Sequence, residues 1–181
     1  MKKKWIVNLW PRVSLFVWLV VKVSILTNEN LRLCGVQGPS QLCLCYQEEE
    51  SMGHLRDKCT FVVTIWEKGV MGFRRRDRKQ GQPAQTLKEW LPKAIKNPII
   101  ISMWGAFLGM AMWCLWNEQK ARIFRDQHRD SKAVWNMVKD NMLSSIWSMQ
   151  WHDQDKIIHR EEAQIAASWG LDSYLMEGLR R

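Results

Sequence analysis

Three thiols and one imidazole fall within 17 residues of this chain: Cys43, Cys45, His54 and Cys59. Thiolate sulfur and imidazole nitrogen are the ligands zinc takes, four to a tetrahedron, and structural sites are often built from three cysteines and a histidine. A close pair on a turn and a second pair on a following helix would reach that geometry. Four residues separate His54 from Cys59, which fits a helix end or the turn after it. The first pair is short, because Cys-x-Cys puts both thiols on one small peptide, whereas a zinc knuckle wraps the metal with two residues between them. The bland alternative is three unrelated thiols and a surface histidine. Cys34 and Cys114 bring the total to five. An odd number without an export signal argues against a disulfide framework.

The second chemical feature is charge. The chain of 181 residues has 27 Lys and Arg against 18 Asp and Glu, a formal charge of +9. Residues 71–97 hold eight of the basic and two of the acidic groups, so two-thirds of the excess sits in 27 residues. Its centre is Arg74-Arg75-Arg76-Asp77-Arg78-Lys79, flanked by Gly72, Gly81 and Pro83, which reads as an exposed linker. Five cations in six residues repel one another and favour a phosphate-rich partner, RNA or DNA, bound without base specificity. A solvated linker that keeps the chain soluble is the competing reading.

Catalytic constellations are missing. A polymerase palm needs paired aspartates to hold two metal ions, and no Asp-Asp dipeptide occurs. His152, Asp153, Asp155 and His159 are the nearest acidic and imidazole grouping, and they read better as the polar start of a helix. No Gly-rich phosphate loop and no nucleophile motif is present. The expectation is a protein that is not an enzyme, without a small-molecule substrate and without room for a complete polymerase.

Two segments imitate membrane signals. Lys2-Lys3-Lys4 before the apolar Leu15 to Val21 resembles a signal peptide. Pro11, Arg12 and Lys22 interrupt that pattern, and no small-residue cleavage site follows. Ile99 to Trp116 has 18 residues without a charge, the lower limit for spanning a bilayer. Its alternative is a buried helix in a helical domain. An intracellular location, nuclear or cytoplasmic, is expected, with membrane association through 99–116 as the rival.

The elements that must position these groups read as helices. Pro11 suits a first turn, with a helix to about Leu26. Thr27 caps a short helix through Arg32, with Gly35 beyond its end. A turn at His54 leads into a helix to about Gly69, although Val62-Val63-Thr64 also suits a short strand. Thr86-Leu87-Lys88-Glu89 fits a capping box for a helix that Asn97-Pro98 stops. A long helix from Pro98 reaches Arg125. Ser131 caps a segment in which Val134, Val138, Met142, Ile146 and Met149 form one apolar stripe. A last helix near Lys156 to Trp169 ends at Gly170. Seven of the 12 tryptophans lie after residue 97. Core packing explains Trp104, Trp113, Trp116, Trp135, Trp147 and Trp151 better than stacking on bases. The fold class is therefore mainly α, with a small module over 8–70, a basic linker and short helix over 71–97, and a helical region over 98–181.

The order of features over about residues 8–67 resembles the zinc-binding region downstream of the reverse transcriptase in plant LINE-type retrotransposons. The match runs from Trp10-Pro11-Arg12-Val13 through Phe16-Val17-Trp18 and Ile25-Leu26-Thr27-Asn28-Glu29-Asn30-Leu31. After Gly35 come the cysteine pair, Glu48-Glu49-Glu50, His54-Leu55, Cys59 and Ile65-Trp66. Farther on, Trp116-Asn117-Glu118-Gln119-Lys120-Ala121-Arg122-Ile123-Phe124 is similar to a tract those proteins carry near the C-terminus. The family pair is normally Cys-Pro-Leu-Cys, and Cys43-Leu44-Cys45 looks like it with one residue deleted. The family's Glu-Arg-Asn triplet is here Glu118-Gln119-Lys120. The resemblance implies a helical zinc knuckle with structural zinc held by Cys43, Cys45, His54 and Cys59, and a non-catalytic accessory module. It also implies contact with RNA or DNA, which would fall to Arg74, Arg75, Arg76, Arg78 and Lys79. The shortened pair makes a three-ligand site, or a decayed element without evolved function, the alternatives.

Overall fold

The computed structural model describes residues 9–38, 40–73, 97–149 and 160–171. Six α-helices lie among them: α1 Pro11–Val21, α2 Asn28–Leu33, α3 Thr60–Gly72, α4 Pro98–Arg125, α5 Ser131–Trp147 and α6 Arg160–Ser168. A π-helical turn, His54–Lys58, precedes α3. The described residues contain no strand, only an isolated antiparallel bridge between Gln41 and Glu49. The mainly helical expectation holds, and Val62-Val63-Thr64 lies inside α3.

Contacts divide the chain into two units that interleave in sequence. One gathers the described residues of 9–67 and 109–138; the other gathers those of 68–108 and 139–181. The long helices α3, α4 and α5 each contribute residues to both.

In the first unit, α1 begins with Pro11 at its first turn and buries Val13 and Phe16. Phe16 meets Trp113 edge-on at 5.4 Å and stacks on Trp116 at 6.0 Å. Gly109 permits this approach: a Cβ there would lie 2.7 Å from Leu9 Cδ1. The helix stops at Val21, short of the expected Leu26, because Val23 takes a left-handed φ of +55°. The Asn30 side-chain amide then donates to the carbonyls of Val23 and Ile25, at 2.8 and 2.7 Å. Thr27 caps α2 as expected, accepting from the Asn30 N–H at 3.4 Å.

In the second unit, Asn97 opens α4 by accepting from the N–H groups of Ile99 and Ile100. Phe73 is the hub of an aromatic cluster, 4.8 Å from Trp104, 6.0 Å from Phe107 and 5.0 Å from Trp169. Gly69 lies under the Phe107 ring, where any side chain would clash. The α4 helix is long and apolar enough to cross a membrane, yet 83% of its most apolar 18-residue window is buried within the protein.

On α5, Val134, Val138, Met142 and Ile146 are buried as the stripe requires, whereas Met149 lies beyond the helix and is half-buried. Asp130, not Ser131, caps α5, its carboxylate accepting from Ala133 N–H at 2.7 Å. Trp147 departs from the core expectation and is 60% exposed. The expected helix after Thr86, the start of the last helix at Lys156, and Trp151 lie outside the described residues.

Candidate metal centre

The loop between α2 and the π-helical turn carries the cysteine pair. Its ends are tied by Leu42 N–H to Glu48 O at 2.9 Å and by Glu50 N–H to Ser40 O at 2.8 Å. Between them the chain makes a tight turn, with the N–H groups of Cys45 and Tyr46 both donating to Leu42 O. Tyr46 closes it at a left-handed φ of +55°. Leu42 and Leu44 both sink into the core, at 0% and 4% exposure, and the tight turn around Leu42 O carries the two cysteines to different partners. Cys45 Sγ lies 3.2 Å from His54 Nε2. Cys43 Sγ instead donates to the backbone carbonyl of Gln119 on α4, at 3.6 Å.

The π-helical turn supplies the other two groups. Ser51 starts it, its hydroxyl accepting from His54 N–H at 3.1 Å. Cys59 N–H donates back to His54 O at 3.0 Å, so the wide turn brings the imidazole and the last thiol together. Trp66 fixes the turn from α3 by donating its indole N–H to Arg56 O at 2.7 Å. The ligand atoms of Cys45, His54 and Cys59 all lie within 4.8 Å of one another. Tetrahedral zinc would hold two sulfurs and a nitrogen roughly 3.6–3.8 Å apart, so shifts of about 1 Å or less suffice, with the 3.2 Å Cys45–His54 pair opening slightly.

Two further features suit a metal. His54 Nδ1 is 2.7 Å from Glu48 Oε2, so Nδ1–H donates to the carboxylate and Nε2 is presented to Cys45. Metal-ligating histidines carry this kind of outer partner, which fixes the tautomer and raises ligand basicity. The donor set of two sulfurs and one imidazole is also one that zinc favours over oxygen-seeking ions. Burial pushes the Cys59 thiol up to about 11, and its neighbour Cys45 adds to this against backbone hydrogen bonds. A bound cation would reverse that preference, since a coordinated thiol gives up its proton.

Of the four expected ligands, the structure brings together Cys45, His54 and Cys59. Cys43 is not in the group, its thiol being engaged instead by the Gln119 carbonyl on α4. Burial also pushes Cys43 up to about 11, with the nearby Arg122 pulling the other way. Among the remaining cysteines, Cys34 is exposed and Cys114 is buried, and neither joins the cluster. Arg74, Arg75, Arg76, Arg78 and Lys79 lie outside the described residues, as do His152, Asp153, Asp155 and His159.

Sequence reasoning missed Glu48 as the histidine's partner, although the acidic triplet was visible. It singled out the tract holding Glu118 and Arg122 without giving them a role, and it missed Arg129. Glu118 is buried, accepting from Arg122 Nε at 2.9 Å, from Arg129 N–H at 2.8 Å and from Arg129 Nη1 at 3.2 Å. Burial would raise its carboxyl, but these donors outweigh it and hold the group below the usual carboxylate range. The available signal was an i, i+4 acid–base pair just after the uncharged run Ile99 to Trp116.

Residues 1–66 match the profile of a family described as zinc-binding in reverse transcriptase. The segment so matched contains all three clustered ligands. No curated protein and no solved structure shows a significant match to the chain.

Proposed function

We propose that this chain is a non-catalytic zinc-binding accessory module, related to those of LINE-type retrotransposon reverse transcriptases of plants, that contacts RNA or DNA through its basic linker. The observation that carries the reading is the convergence of Cys45, His54 and Cys59 inside the family-matched segment. Zinc held there would be a cross-link rather than a reagent, tying the cysteine turn to the start of α3 and contributing folding free energy. Cys45 and Cys59 would supply the sulfurs and His54 Nε2 the nitrogen, with Glu48 keeping the imidazole in the ligating tautomer.

The nucleic-acid half of the reading rests on charge: five cations in six residues, within a stretch carrying two-thirds of the net excess. Such contacts would position the protein on phosphates without reading bases.

Elemental analysis of the purified full chain tests the metal. About one zinc per chain is expected, and a metal-free chain that takes up none overturns the reading. Single-stranded RNA and DNA titrations over a range of salt test the partner. Replacing Arg74, Arg75, Arg76, Arg78 and Lys79 by Ser should flatten the salt dependence by up to about 0.7 per lost phosphate contact. Affinity indifferent both to salt and to the five substitutions overturns this part.

A further inference from the structure

The two segments that carry the metal ligands are fixed by one side chain from far along the sequence. Arg122, on α4, donates through Nη1 to Cys43 O at 3.0 Å and Leu44 O at 3.2 Å. These carbonyls belong to the turn that carries Cys45. Its guanidinium also lies over the ring of Phe61 at 4.8 Å, two residues after Cys59. Nη2 donates to Arg129 O at 2.8 Å, and Nε donates to Glu118. Four of the five N–H donors of the fork are thus engaged, and the side chain is 8% exposed. Glu118 holds it in place and is itself clamped by Arg129 from the other side. Gln119 adds a second link, since its carbonyl accepts from the Cys43 thiol.

We propose that Arg122, oriented by Glu118, is a positioning residue for the metal centre. It fixes the two carbonyls of the cysteine turn and the ring beside Cys59, so that Cys45 and Cys59 face His54 before metal arrives. The planar fork matters here, because one group must meet two adjacent carbonyls, a third carbonyl, a carboxylate and an aromatic face together. It follows that the metal module extends past the matched segment, taking in residues 109–138 with which residues 9–67 share a contact unit. The inference rests on the proposed zinc-binding function.

The test is cobalt(II) binding to the full chain, followed by competition with zinc. Wild type is compared with Arg122→Gln, Arg122→Lys and, as a control in the other unit, Phe107→Ala. Outer partners of metal sites typically change affinity by about 10- to 100-fold. A loss of that size in both Arg122 variants is expected, with altered visible cobalt bands, while Phe107→Ala keeps the wild-type bands and affinity. Wild-type affinity and bands in the Arg122 variants overturn the positioning role while leaving zinc binding intact. Failure of the wild type to bind either metal overturns the function on which the inference rests.

Should the Arg122 variants not fold, hydrogen exchange in the wild-type chain decides. Linkage is reciprocal, so zinc must tighten the clamp if the clamp tightens zinc. The Arg129 amide, which donates to Glu118, should exchange at least several-fold more slowly with zinc bound. Equal exchange with and without zinc overturns the proposal.

Discussion

The two halves of α4 are held by opposite chemistry. Over Ile99 to Leu108 the helix packs Met103, Trp104 and Phe107 into an aromatic core shared with Phe73 and Trp169. Over Gly109 to Arg125 it still buries apolar side chains, but it also offers the Gln119 carbonyl and Arg122, itself held by Glu118, to a loop made about 75 residues earlier. Both carboxylates that are buried among the described residues, Glu50 and Glu118, belong to the metal-bearing unit. An apolar core is non-directional and tolerates approximate fits. A three-ligand cluster needs its atoms aimed, and directional polar contacts are the means available.

That contrast predicts how each unit breaks. Cys59→Ser should have the largest effect, because it removes a fully buried ligand. Zinc contributes on the order of 10 kcal/mol of apparent binding free energy in small structural sites. The variant should lose the rise in Tm that zinc gives the wild type; a retained response would show that the cluster does not hold the metal. Phe107→Ala should cost about 3–5 kcal/mol by emptying the aromatic cluster. Calorimetry should find that cost equal with and without zinc, and a zinc-dependent cost would blur the distinction between the units.

Smaller effects sharpen the comparison. Glu48→Gln keeps the shape of the histidine's partner but removes its charge. Zinc affinity should fall by about tenfold, equivalent to ~1.4 kcal/mol, measured by competition with a chelating dye. No change would mean that the carboxylate, which is largely exposed, does not orient the ring.

The pH profile separates the two buried carboxylates by sign. Glu118 is held below the usual range, so its contribution is complete above that range and is lost as pH falls through its folded value. Burial raises Glu50 against hydrogen bonds from Gln119 and the Asn28 N–H, so its contribution is lost as pH rises through its folded value. Thermal scans between pH 3 and about 7 should therefore show Glu118→Gln flattening the acid loss and Glu50→Gln flattening the opposite slope. The same slope in both variants would contradict the assignment.

Much of the helical frame was legible from local chemistry. Pro98 and Arg125 bound α4 as expected, and Thr27 caps α2, because proline placement and short polar caps act within a few residues. Local reasoning misplaced boundaries where neighbouring polar side chains competed for the same backbone groups. The Asn30 side chain takes carbonyls at the end of α1, and Asp130 outcompetes the neighbouring Ser131 as a cap. Trp147 shares an apolar stretch with buried residues yet faces outward, since composition does not say which face of a helix is covered.

The site was legible in type and only partly in membership. Spacing identified the cysteine–histidine segment, but that Cys45 rather than Cys43 faces His54 is set by the tight turn around Leu42 O and by the bond from the Cys43 thiol to α4. Arg122 sits 78 residues from Leu44, and no pattern near the cysteines announces it.

The most direct test of the central claim compares zinc content in Cys43→Ser and Cys59→Ser chains purified alongside the wild type. With Cys45, His54 and Cys59 as the protein ligands, Cys43→Ser retains about one zinc per chain and Cys59→Ser retains none. Equal loss of zinc from both variants would contradict the three-ligand centre.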